Sequence, residues 1–397
     1  SIRTYLKQEV GRRPVVWHPE TAYWVSYDID VPLFLPVYAH RRLHDLRLLA
    51  QDEISGSMAV ADARMQGQLI FSSGWEWGYW LNDVITARAA WNPRMDLATD
   101  GEAMQSLLNH ILRPFGEAKG NIVHSLTEYM DAQLALLVEG KINGVAPEEI
   151  KRRSGQACLQ GVDAWDDVGD LAGNLPGVPN IETQPKKLGL VDMRNPLNGG
   201  PSYSAEIEPL LGEMSSTFGA AVTHWETLEP SVPDAALPYF AELRDSMKMT
   251  ALRAAQVHGL YDYVDGYWDI ANDLRFVRLD EAYDALDEAL EIVALREANY
   301  RVPADRVSGW RLNPTAYDYR YLWTVRTLYY WWRDEGKAYS APISPCYMNH
   351  INPFEMAFGD GVYVDGAALL AGFSGDTIAE CLTAPSSEPA IPPEAIR

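Results

Sequence analysis

Cysteine is scarce in this sequence, and its three copies, Cys158, Cys346 and Cys381, lie far apart. No C-x2-C pair is present, so the usual thiolate metal spacings are absent. The odd count leaves at least one thiol free or bonded to another chain. Basic charge is also in deficit: 33 Lys and Arg face 55 Asp and Glu, for a net charge of −22. Nucleic acid and anionic membranes reward basic patches, so neither is expected as a partner. No run of about 18 apolar residues occurs, which argues against a transmembrane helix. G-x-S-x-G, the Walker loop and the Rossmann glycine fingerprint are missing, so acyl-hydrolase, NTPase and dinucleotide readings lose support. The chain opens at Ser1 without Met and without an apolar leader. The reading is that a leader was removed or that an upstream portion is missing; the compartment stays open, with a periplasmic or secreted location favoured.

What the chain has in quantity is aromatic surface: 13 Trp and 21 Tyr in 397 residues, with 47% hydrophobic and 22% charged residues overall. That length suffices for two or three domains with large cores. The organising stretch is Leu69 to Asp83, L-I-F-S-S-G-W-E-W-G-Y-W-L-N-D. It opens as a short strand-like run, Leu69-Ile70-Phe71. It then sets Trp75, Trp77, Tyr79 and Trp80 around one carboxylate, Glu76. Such rings suit sugars and other half-polar ligands. A carboxylate desolvated among them has a raised pKa, useful for proton transfer. The same rings also suit a core, with Glu76 solvated or paired at a turn.

Residues 1–100 read as α/β. Val15-Val16-Trp17 is a short strand stopping at His18-Pro19-Glu20. Tyr23 to Tyr27 is a strand or aromatic loop ending in Asp28-Ile29-Asp30. Val31 to Tyr38 carries Pro32 and Pro36 and reads as a buried loop. Leu43, Leu46, Leu49 and Ala50 predict a helix over 39–51. Residues 101–203 form a helical segment, with helices over 103–112, 121–139 and 147–159, followed by a long Gly/Pro-rich loop from 161. Residues 204–340 read as a helical domain, with helices over 236–261, 280–300 and 314–335. Residues 341–397 are a loop-rich segment and tail.

Three carboxylate groups trail the early strand-like runs: Glu20 after Trp17, Asp28 and Asp30 after Tyr27, and Glu76 after Phe71. Neighbouring parallel strands would bring them to one side, where two carboxylates can flank a scissile glycosidic bond. Each group has aromatic company in Trp17, Trp24, Trp75 and Trp77, and His18 could donate to a ligand hydroxyl. The plainer reading is that acids are common after strands, and His18 fits a core role equally well.

The pieces W-H-P-E-T-A-Y-W at 17–24 and S-G-W-E-W-G-Y-W at 73–80 resemble the last strands and active-site loops of a (β/α)8-barrel glycoside hydrolase. The helical remainder resembles an appended C-terminal helical domain. The resemblance covers about the first 95 residues. It implies a partial TIM-type barrel, since about three strands are counted where eight are needed. The rest would lie upstream or on a second chain, unless these runs belong to another fold. The implied function is a carbohydrate-active hydrolase without cofactor or metal. Glu76 would be acid/base or nucleophile, with Glu20 or Asp30 as its partner. Trp17, His18, Trp24, Asp28, Trp75, Trp77, Tyr79 and Trp80 would line the sugar site. The alternative is a non-catalytic glycan-binding or scaffold subunit of a larger complex.

Two further motifs carry less. Asp166-Asp167-Val168-Gly169-Asp170 resembles the diphosphate-metal motif of class I terpene synthases in spelling. Its Gly/Pro surroundings are those of a loop, which suits Ca²⁺ better than a helical Mg²⁺ site. His40 and His44 have a chelating i, i+4 spacing. With Arg41, Arg42 and Arg47 around them, they read as a solvated helix face.

Overall fold

The computed structural model describes residues 2–18, 33–69, 78–142, 155, 158–159, 203–265, 273–300, 331 and 338. In chain order the elements are α1 (Ile2–Glu9), β1 (Val16–Trp17), α2 (Val37–Ile54), β2 (Gly67–Gln68), α3 (Tyr79–Trp91), α4 (Asp100–Ile111) and α5 (Lys119–Gln133). There follow α6 (Glu208–Leu228), α7 (Leu237–Asp265) and α8 (Leu274–Tyr300). Leu134–Glu139 continues α5 as a π-helical turn, and Tyr203–Ile207 leads into α6 in the same way.

Helix accounts for 79% of the described residues, and among them the sheet is one parallel pair of two-residue strands. The expected α/β portion with a partial TIM barrel is therefore overturned, and the described part of the protein is mainly helical. Barrel strands are covered on both faces. Here Val16 is 49% exposed and Leu69, just past β2, is 58% exposed. The apolar mass of the first hundred residues goes elsewhere: Leu33, Phe34 and Leu35 are fully buried, as are faces of α2 and α3.

The chain forms two compact units. The first comprises Ser1–Tyr23, Leu33–Leu134 and Ala220–Met247. Its helices follow the apolar spacing. Leu43, Leu46 and Leu49 of α2 are buried, as are Ile122, Leu126 and Met130 of α5. Helix α4 starts on a capping box: Thr99 Oγ1 accepts from Glu102 N at 3.1 Å, and Glu102 Oε2 accepts from Thr99 N at 3.1 Å. That reciprocal pair satisfies two otherwise orphaned N–H groups. Phe34 stacks on Tyr129 at 6.1 Å, and Trp225 on Phe240 at 5.1 Å.

Two charged side chains serve this unit from inside. Asp52 of α2 accepts from Arg3 at 2.6 and 2.9 Å and from Lys7 at 3.2 Å, fastening α1 to α2. Arg47 does not sit on a solvated face. It is 8% exposed and donates to the carbonyls of Pro93 (3.1 Å), Arg94 (2.5 Å) and Leu97 (2.8 Å). Its Nε pairs with Asp100 at 2.6 Å, so one guanidinium shapes the loop before α4.

The second unit comprises Trp24–Pro32, Ala135–Gly219 and Lys248–Arg397. Its centre is the buried Arg253 of α7, which donates to the Leu159 carbonyl at 2.9 Å and to Gln256 Oε1 at 2.5 Å. Arg253 also lies 5.6 Å from the ring centre of Trp331. Helices α7 and α8 approach closely where Gly259 faces the Arg278 carbonyl. A Cβ there would stand 2.6 Å from that oxygen and 3.3 Å from the Ala282 Cβ. Lys248 and Glu288 form an ion pair across the same two helices. Among the described residues, no helix is long and apolar enough to cross a membrane.

Candidate functional site

The two runs singled out in the sequence start side by side. β1 and β2 pair in parallel with Val16 opposite Gly67 and Trp17 opposite Gln68. Gln66 N donates to Val15 O at 3.0 Å, and Leu69 N donates to Trp17 O at 2.9 Å. Parallel pairing sends both chains out of the ladder in the same direction, past His18 and past Leu69. The second strand forms over Gly67–Gln68, one step before the apolar triplet expected to make it.

Of the expected site residues, Trp17 is half-buried in β1 and His18 is exposed. The Arg42 guanidinium lies 5.4 Å from the Trp17 ring centre, a cation–π distance. Tyr79 and Trp80 open α3, a helix that the sequence reading did not single out. Trp80 turns its ring edge-on to Tyr239, 5.8 Å between centroids, so this ring packs within its own unit. Gly78 caps α3 with φ +65°. A Cβ there would stand 2.6 Å from the Phe34 ring, so both backbone and space demand glycine. Glu20, Trp24, Asp28, Asp30, Trp75, Glu76 and Trp77 lie outside the described residues, as do the D-D-x-x-D motif, Cys346 and Cys381. Cys158 is buried. His44 Nδ1 meets Asp100 Oδ2 at 2.6 Å, and burial lowers the His40 pKa.

A second constellation lies in the other unit and escaped the sequence reading. His258 and Asp262 sit at i, i+4 on α7, and Glu208 begins α6. Their ligand-type atoms, one per residue, all lie within 4.8 Å of one another. His258 Nε2 is 3.3 Å from Asp262 Oδ2 and 3.9 Å from Glu208 Oε1. Nε2 is buried, and neither contact has hydrogen-bond geometry. The other oxygen of Asp262 accepts from the Tyr203 hydroxyl at 2.7 Å. Tyr203 is 1% exposed and stacks on Tyr261 at 5.9 Å. Burial, then the negative charges of Asp262 and Glu208, push its phenol pKa far above the ordinary value. Arg278 of α8 approaches Asp262 Oδ2 at 3.5 Å, while its Nη1 donates to Glu281 at 2.7 Å.

The sequence signal for this group was faint. H-x-x-x-D on an apolar helix is common, and Glu208 and Tyr203 stand some fifty residues away, so only folding joins them. Comparison with protein-family models, with characterised proteins and with solved structures returns no match for this chain.

Proposed function

We propose that the protein acts on carbohydrate, cleaving a glycosidic bond with Glu76 as acid/base or nucleophile and Glu20 as the partnering carboxylate. One observation carries the reading: the parallel ladder starts the two acid- and aromatic-bearing runs from adjacent residues, Trp17 and Gln68, in one direction. Chain length is compatible with it: Glu20 is three residues past Trp17, a reach of at most about 11 Å, and Glu76 is eight residues past Gln68, at most about 29 Å, so the two acids can meet. The reading does not need a barrel. A carboxylate pair about 5 to 9.5 Å apart, in a ring-lined hollow, is sufficient for either stereochemical course.

The test begins with glycan-array binding of the native chain, followed by an assay for reducing ends released from the glycans retained. Glu76→Gln and Glu20→Gln should each abolish release while keeping glycan binding and helical circular dichroism. Release at native rates in Glu76→Gln would refute the assignment. Glycan binding by the native chain without any release would leave a non-catalytic binder.

A further inference from the structure

We propose that Glu208, His258 and Asp262 form a binding site for a divalent first-row transition ion, with Zn²⁺ as the probe. An imidazole nitrogen with two carboxylate oxygens is a ligand set that such ions accept. Two carboxylates and a neutral imidazole also balance the charge of a divalent ion. Among the described residues this is the one group of three such side chains in mutual reach. His44 with Asp100, and His124 with Glu128, are ion pairs of two.

The spacings fit. Tetrahedral bonds of about 2.1 Å place neighbouring ligand atoms about 3.4 Å apart. The observed separations from Nε2 are 3.3 Å to Asp262 and 3.9 Å to Glu208. The Glu208 side chain is 44% exposed and can close the remaining gap by rotating. His258 Nε2 supplies an independent sign. It is a buried nitrogen, directed between two carboxylates, with no hydrogen bond, and a metal bond would satisfy it.

The surroundings are those of a supported ligand shell. Tyr203 holds Oδ1 of Asp262 and leaves Oδ2 toward the imidazole, as outer-shell hydrogen bonds do for metal-bound carboxylates. Gly212, one turn beyond Glu208 on α6, lies against the His258 ring, where a Cβ would make an ordinary contact 3.5 Å from its Cε1. Three ligands from the protein leave a fourth position for water or substrate. Arg278 opposes the ion, since its guanidinium already lies 3.5 Å from Oδ2. It is about half-exposed and has a second carboxylate in Glu281, so it can withdraw to that partner.

The experiment is a Zn²⁺ titration of the full chain, stripped with EDTA, against a chromophoric chelator. Visible absorption of the Co²⁺ form reports coordination independently. The native chain should take up one equivalent, with Co²⁺ bands of a low-coordinate nitrogen/oxygen site. Affinity should fall at least about 100-fold in His258→Ala and at least about 10-fold in Glu208→Gln. His124→Ala should not change it, and Arg278→Gln should tighten it. Uptake below one equivalent by the native chain would overturn the proposal. So would native affinity in both His258→Ala and Glu208→Gln, which would mark an adventitious surface ion. If His258→Ala does not fold, the exposed Glu208→Gln decides alone.

Discussion

The side-chain amide of Gln133 closes both ends of a gap in the backbone of Phe34 to Val37. Its Nε2 donates to the Phe34 carbonyl at 2.9 Å, and its Oε1 accepts from the Val37 N–H at 3.3 Å. All three residues are buried. Replacing Gln133 with Leu removes both of these hydrogen bonds in an apolar setting. The expected loss is about 2 to 4 kcal/mol, read from urea unfolding of the variant against the native chain.

Gly78 joins the aromatic run to α3 in a left-handed conformation, with the Phe34 ring where a side chain would go. Gly78→Ala should cost about 2 to 4 kcal/mol, combining backbone strain with overpacking. Pairing it with Phe34→Leu, which removes the clash but not the strain, should recover part of the loss. Full additivity of the two changes would disprove the steric component.

Asp52 gives the stability of the first unit a pH dependence. Hydrogen bonds from Arg3 and then Lys7, against the opposing effect of burial, hold its carboxyl below the ordinary value of 3.8. A depressed folded-state pKa contributes stability above the unfolded pKa. That contribution is lost as pH falls through the folded value. Asp52→Asn should therefore unfold more readily than the native chain by a constant margin between pH 5 and 7, on the order of 1–2 kcal/mol. The margin should shrink below pH 4. A margin that persists unchanged to pH 2.5 would count against the ion pair as its source.

Arg47 should not tolerate lysine. A single ammonium cannot reach the carbonyls of Pro93, Arg94 and Leu97 and the Asp100 carboxylate together. Arg47→Lys is expected to destabilise by about 2 to 4 kcal/mol and to raise hydrogen exchange in residues 93–97 first.

Helix positions were legible where large side chains make the contact. Phe240, Leu243, Met247, Ala254 and Val257 of α7 are buried as their spacing predicts. On α8 the spacing of the larger apolar residues Tyr283, Leu286 and Leu290 predicts the buried face, and the structure keeps only part of it. Ala282, Ala285 and Ala289 are buried there with Leu286, while Tyr283 and Leu290 are half-exposed. Close helix approach at Gly259 favours small residues, and a count weighted toward bulk overlooks them. The N-terminal strands were overestimated because apolar triplets such as Val15-Val16-Trp17 fix local extension but not how many partners a strand acquires. The ladder ends after two residues, and helices absorb the apolar surface that a barrel would need. The Glu208 group was illegible because its members come from two helices and the turn before one of them. Nothing in local spacing announces such a meeting.

Gly259 lies between His258 and Asp262, on the side of α7 that touches the Arg278 carbonyl. The close approach of α7 and α8 beside this group thus depends on a missing methyl group. Adding it, as Gly259→Ala, would wedge α8 outward and carry Arg278 from the carboxylate it guards, leaving the acid and imidazole of α7 and the acid of α6 in place. A single carbon would then withdraw the one positive charge from beside two carboxylates, separating the ligands' own affinity from the competition set by the neighbouring guanidinium.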